Sequence, residues 1–166
     1  MLTEIKTDIH HYFIDENYLR QGEHKIFFEN GDILIQTYYL NGEQHGEYKE
    51  FHNNGKTSVN AMYKNGMLHG PYATYYPDGS PHVCFTYHYG KRHGVFTRFF
   101  ESGSLYIKVS YQNGERHGEY MEYYRDGSIK DSTIYYQNKD LDVNPDTLTK
   151  KDKMYIMMSG RLPPRD

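Results

Sequence analysis

The sequence repeats itself every 24 residues, and a fixed period of that length commits a chain to stacked copies of one small unit. One glycine series runs Gly22, Gly46, Gly70, Gly94, Gly118; a second runs Gly31, Gly55, Gly79, Gly103, Gly127; a third runs Gly42, Gly66, Gly90, Gly114. Histidine keeps the same period at His45, His69, His93 and His117, with Gln21 in the first slot. Aromatic residues form one row at Tyr48, Tyr72, Phe96, Tyr120 and another at Phe27, Phe51, Tyr75, Phe99, Tyr123. Five units succeed one another without insertion over residues 22–141.

Within a unit the apolar residues alternate with period two, as in Leu105, Ile107, Val109, Tyr111, which argues for strands and against helices. Asn54-Gly55 and Asn65-Gly66 punctuate them, and such pairs favour two-residue primed turns with positive φ at both positions. With Asn54-Gly55 as a two-residue turn, Gly46 faces Tyr63, and the period extends this to Gly22–Tyr39, Gly70–Tyr87, Gly94–Tyr111 and Gly118–Tyr135. Each tyrosine ring is expected to lie over the bare backbone of its glycine, where a side chain would push it away. The second turn sets Val59 opposite Tyr72, and puts Tyr120 between Ile107 and Thr133. The predicted fold is all-β, an elongated single-layered antiparallel meander of 24-residue β-hairpin repeats with a short C-terminal helix cap. Residues 1–21 read as an N-terminal half-repeat, 22–141 as the five repeats, and 142–166 as a capping helix and extended tail. Thr149 and Asp152 are spaced as a capping box and Gly160 as a stop, so the helix is expected over the edge of the last strand.

Composition narrows the function. The formal charge of −3 lacks the basic excess that nucleic acid demands, and acidic membranes meet the same objection. The opening residues read as no secretory leader, and Cys84, the single cysteine, suits a reducing, cytoplasmic setting. The histidine row invites a metal reading, but successive copies two strands apart are separated by about 10 Å, and two nitrogens on one zinc by about 4 Å. Packing or turn support is the expected role. Cys84 comes two residues after His82 on one strand face and reads as an inert strand residue, and "DLDVNPD" at 140–146 lacks the glycine and final glutamate of a calcium loop. No nucleophile elbow, phosphate loop or zinc-protease motif is present. The expectation is therefore a protein without catalytic residues, metal or cofactor.

The pattern Y-x-N-G-x-x-H-G-x-Y-x-x-Y-Y-x-D-G, best seen at 111–127 and 63–79, resembles the MORN repeat, in the divergent bacterial form of YwqK-like antitoxins. The resemblance implies a single-layered hairpin scaffold without catalytic residues whose partners are proteins, acidic phospholipid surfaces or a toxin. On the residues themselves, a one-layer sheet leaves an aromatic row without cover, and such patches mark interaction sites. The candidate groove is Tyr48, Tyr72, Phe96 and Tyr120 flanked by Phe85, Tyr63, Tyr87 and Tyr111, with Gly22, Gly46, Gly70, Gly94 and Gly118 as structural glycines. Its expected occupant is a protein or peptide segment, in the most specific version a cognate toxin. A lipid-surface module is the alternative, and a small enzyme using histidine and Cys84 ranks last.

Overall fold

The computed structural model describes residues 1–164 and divides into two compact units, Met1–Gly90 and Lys91–Asp166. The first holds β1 (Thr3–Lys6), β2 (His10–Ile14), β3 (Arg20–Phe27), β4 (Ile33–Leu40), β5 (Glu43–Phe51), β6 (Thr57–Lys64), β7 (Met67–Tyr75) and β8 (Pro81–His88), each paired antiparallel with the next. The second holds β9 (Lys91–Phe99), β10 (Leu105–Gln112), β11 (Glu115–Tyr123), β12 (Ile129–Tyr136) and β13 (Lys139–Asp140), again antiparallel in sequence order. A 3-10 turn at Pro145–Thr147 and the helix α1 (Lys150–Ser159) complete the chain order. Antiparallel hairpins in chain order with a short C-terminal helix are the fold that the repeat predicts.

The five glycine–tyrosine pairs form as expected, from Gly22↔Tyr39 to Gly118↔Tyr135. The turn that sets them is different. The loop at Asn54-Gly55 has three residues: His52 N–H donates to Lys56 O and Gly55 N–H to His52 O, and only the glycine has positive φ (77°). This is a type I turn closed by a left-handed glycine, and Asn54 Oδ1 accepts from Lys56 N–H at 3.1 Å to hold it. The loop starts the hairpin one residue out of register, with Phe51 opposite Thr57, and a bulge at Ser58 restores Glu50↔Val59. Loop and bulge cancel, which is why a two-residue turn leads to the right pairs.

The second turn is the primed turn that the sequence predicts, with Asn65 at φ 50° and Gly66 at 74°. Register beyond it departs from expectation. Tyr63 faces Leu68, but Tyr72 faces Ala61 where Val59 was expected, and Tyr120 faces Val109 where Ile107 was expected. Three residues, His69–Gly70–Pro71, oppose Met62 alone, so the pairing jumps by two and every side chain keeps its face. The repeat glycine is the middle of this bulge. Its reason is backbone conformation, not room for a ring. Gly70 has φ 109° and Gly118 110°, and a Cβ there would meet Met62 Cβ at 3.3 Å or Ser110 Cβ at 3.1 Å rather than a tyrosine.

In the first unit the small residues between the rings are sealed: Ala61, between Tyr48 and Tyr72, is 1% exposed. The second unit has a true core. Its tail first lines the β12 edge, where β13 pairs with Tyr135 and Tyr136, Leu141 N–H donates to Ile134 O, and Val143 N–H reaches Thr133 Oγ1. The helix then crosses onto a sheet face. It was expected over the strand edge; instead Ile156 and Ile134 are 0% and 1% exposed, and Lys153 Nζ donates to Glu119 Oε1 at 2.6 Å. The linker already serves the edge, and the helix's apolar residues need a face to be buried. Thr149 caps the helix through a reciprocal box with Asp152, and Gly160 ends it in the left-handed conformation (φ 70°).

Candidate binding face

Within each unit, register places the aromatics of the Tyr48, Tyr72, Phe96, Tyr120 row on one face of that unit's sheet. In the first unit the pairs run His24↔Thr37↔Tyr48↔Ala61↔Tyr72↔Phe85, and in the second Phe96↔Val109↔Tyr120↔Thr133. The tyrosine opposite each glycine leans along the strand onto the next ring. Tyr63 meets Tyr48 at 5.7 Å, Tyr87 meets Tyr72 at 5.8 Å, Tyr111 meets Phe96 at 6.3 Å and Tyr135 meets Tyr120 at 6.0 Å, all edge-on. Phe85 ties its neighbours together, 4.7 Å from Tyr72 and 4.8 Å from Tyr87. Edge-on pairs add about 0.5–1.5 kcal/mol each beyond burial, so the rows are preformed. Tyr48, Tyr63, Tyr72, Phe85 and Tyr87 all stay half-buried.

The phenol groups are donors here. Tyr48 bonds Glu50, and Tyr120 Oη donates to Glu122 Oε2 at 3.1 Å. Burial first, and these carboxylates second, push the Tyr48 phenol well above its ordinary range and Tyr120 up to about 12. Both hold their protons at neutral pH and cannot serve as bases.

Two members of the histidine row, His45 and His69, support turns. His69 Nδ1 accepts from Tyr89 N–H at 3.3 Å and His45 Nδ1 lies 3.3 Å from Asn65 Oδ1, each at the primed turn of the next hairpin. Gln21 does the same work, accepting from Asn41 N–H at 3.0 Å. His117 diverges: buried under the helix, it donates from Nε2 to Met157 O at 3.2 Å. Burial pushes the Cys84 thiol up, away from thiolate chemistry. Asp140 accepts from Thr133 Oγ1 at 2.6 Å and Asp142 N–H at 2.8 Å, and Asn144 caps the 3-10 turn, so these two side chains of the "DLDVNPD" stretch spend oxygens on its own backbone and β12.

Three features lie beyond the glycine, histidine and aromatic rows. Arg20, Arg92 and Arg116 stack on Tyr39, Tyr111 and Tyr135 at 5.2, 5.4 and 4.9 Å and donate to their hydroxyls. Their signal was a basic residue two before the repeat glycine and a tyrosine 19 residues on. His24, in the slot of Tyr48, is 3% exposed among His10, Tyr12 and Tyr39. Third, clefts open beside the type I turns, lined by the bulge residues and the turn's first aromatic. Only the extra residue of the bulge turns those side chains together.

These hairpins, with a glycine-centred bulge and a preformed ring row, define a β-repeat scaffold. The chain belongs to the MORN repeat variant family, whose pattern matches residues 20–41, 44–65, 92–113 and 116–138, more than half of its length. Each matched segment opens just before the repeat glycine and closes at the primed turn. The copy between them, with Leu68, Pro71 and Tyr89, pairs in the same way through Gly70↔Tyr87. No curated relative matches the chain. The family is in general a non-catalytic binding module, associated with protein or membrane partners.

Proposed function

We propose that the protein is a non-enzymatic scaffold that binds an extended segment of a partner protein across the ring face of its first unit. The observation that carries this is the half-buried ladder of Tyr48, Tyr63, Tyr72, Phe85 and Tyr87, over which none of that unit's own elements lies. The ladder crosses four strands, a shape that suits a chain segment better than a small molecule. Burying the remaining apolar area of such rings is worth about 25 cal/mol per Å². Phe96, Tyr111 and Tyr120 carry the same residue types in the second unit.

Charge argues against the lipid alternative for this face. Met1–Gly90 holds six Lys and Arg against eleven Asp and Glu, a formal −5 that an anionic membrane repels. An antitoxin role in the cytoplasm is the most specific form of the proposal, with the segment belonging to a toxin. Selection from a displayed random-peptide library tests the binding face. Enriched peptides are expected to bind wild type and to lose binding to the Tyr72→Ser, Phe85→Ser double variant. Enriched peptides indifferent to that variant would reject the face, and flotation on acidic vesicles would favour lipid. Rescue of growth on co-expression with a neighbouring reading frame tests the antitoxin form.

A further inference from the structure

We propose that the cleft between the β9–β10 and β11–β12 turns of the second unit is a separate site for an acidic peptide segment, with carboxylates on Arg98 and Arg125 and an apolar side chain on Phe100 and Tyr106. The cleft is open, holds about 600 Å³ and is lined by Phe100, Tyr106, Tyr123, Tyr124, Arg125, Asp126 and Lys130. Phe100 and Tyr106 lie 4.6 Å apart and tilted by 34°, a packed pair of rings. A guanidinium covers each: Arg125, part of the lining, is 5.2 Å from the Phe100 centroid, and Arg98, outside the lining, is 5.3 Å from that of Tyr106. Both arginines are exposed, and among the described residues neither makes a hydrogen bond or ion pair. A guanidinium stacked on a ring keeps its N–H edge for a ligand, and that planar fork matches a carboxylate.

The other charges here are already committed. Lys130 Nζ donates to Glu122 Oε1 at 2.7 Å while Tyr120 holds the other oxygen at 3.1 Å. Asp126 Oδ1 accepts from Ser128 Oγ at 2.6 Å and Ser128 N–H at 2.9 Å, closing its own turn. The charge left for a ligand is positive. The whole unit agrees: Lys91–Asp166 carries thirteen Lys and Arg against eleven Asp and Glu, a formal +2 beside the −5 of Met1–Gly90. The equivalent cleft of the first unit, lined by Phe28, Leu34, Phe51, His52 and Pro77, has no Lys or Arg, and Asn54 Nδ2 is spent on Pro77 O at 2.7 Å. Two guanidiniums over two rings therefore distinguish one copy of a repeated cleft, which is what recognition requires and packing does not.

The site does not depend on the ring face of the first unit, and the test separates them. Fluorescence anisotropy with the full chain compares three labelled peptides of equal length: alternating Glu and Phe, alternating Lys and Phe, and alternating Glu and Ser. The Glu–Phe peptide should bind best and weaken as salt rises, and the Arg98→Gln, Arg125→Gln double variant should lose at least about tenfold in affinity. Tyr72→Ser with Phe85→Ser should leave this binding unchanged, even if those substitutions abolish capture at the other face. Equal binding of the Lys–Phe peptide would overturn the proposal. So would unchanged Glu–Phe binding in a double variant with native circular dichroism, or arginine-dependent binding of phosphatidylserine vesicles without any peptide binding.

Discussion

His45 and His117 occupy the same place in the repeat, one in each unit, and meet different surroundings. His45 is half-exposed and steadies a turn; His117 is 8% exposed, 5.0 Å from the Tyr136 ring and bonded to a helix carbonyl. The repeat supplies a side chain of fixed direction, and the segment after the last hairpin decides whether that face becomes interior. The first unit keeps its aromatics on a bare sheet and is acidic. The second gains a helix-covered core on the opposite face and is basic. A repeat array is thus uniform in backbone and uneven in chemistry.

The largest effect that would sharpen this contrast comes from Ile156→Ala. Truncating a fully buried isoleucine costs about 2–5 kcal/mol, and hydrogen exchange should quicken in β11 and β12 while β5–β7 amides hold their rates. An equal rise in both would break the comparison. Next is acid sensitivity of the first unit. Burial chiefly, then Arg20 and His10, lowers the His24 pKa from 6.5 to about 4. The unfolded chain takes up that proton near pH 6.5 and the folded chain only near 4, so stability is full above the window and falls as pH drops through it. The loss is about 2 kcal/mol at about pH 5, read by urea denaturation, and His24→Gln should flatten the slope.

Gly118→Ala and Gly46→Ala compare the two environments at one repeat position. Positive φ costs each about 1–2 kcal/mol. Gly118 should lose about 1 kcal/mol more, because its Cβ meets Ser110 Cβ at 3.1 Å where that of Gly46 meets Tyr38 Cβ at 3.7 Å. Thermal melts of the pair check this, and equal losses would mean that Ser110 moves aside. The smallest effect is Lys153→Met, which removes the pair with Glu119. It should cost about 0.2–1 kcal/mol, diminishing with salt, against a smaller change for Lys49→Met on the bare first unit.

Much of this was legible in the chain. Alternation and the primed-turn pairs led to the strands, and the glycine–tyrosine pairs emerged although one turn was read as two residues instead of three. The Asx side chain that bonds two residues ahead, as Asp78 Oδ1 does to Ser80 N–H at 2.7 Å, was the missed sign of that longer turn. The bulge at Gly70 was illegible because a two-residue slip preserves which face every side chain takes, so periodicity cannot report it. The clefts escaped for a related reason, since their lining includes residues that period two assigns to opposite faces.

By itself the sequence determined the hairpin, its turns and the row of rings, because these arise from local torsions and nearest-strand pairing, and the 24-residue period copies them faithfully. Tertiary structure alone decided where the helix lies, which histidine is buried and that Arg125 stands over Phe100. Those contacts join residues far apart in the chain, as Lys153 to Glu119 and Arg125 to Phe100 do, and no repeat period constrains them.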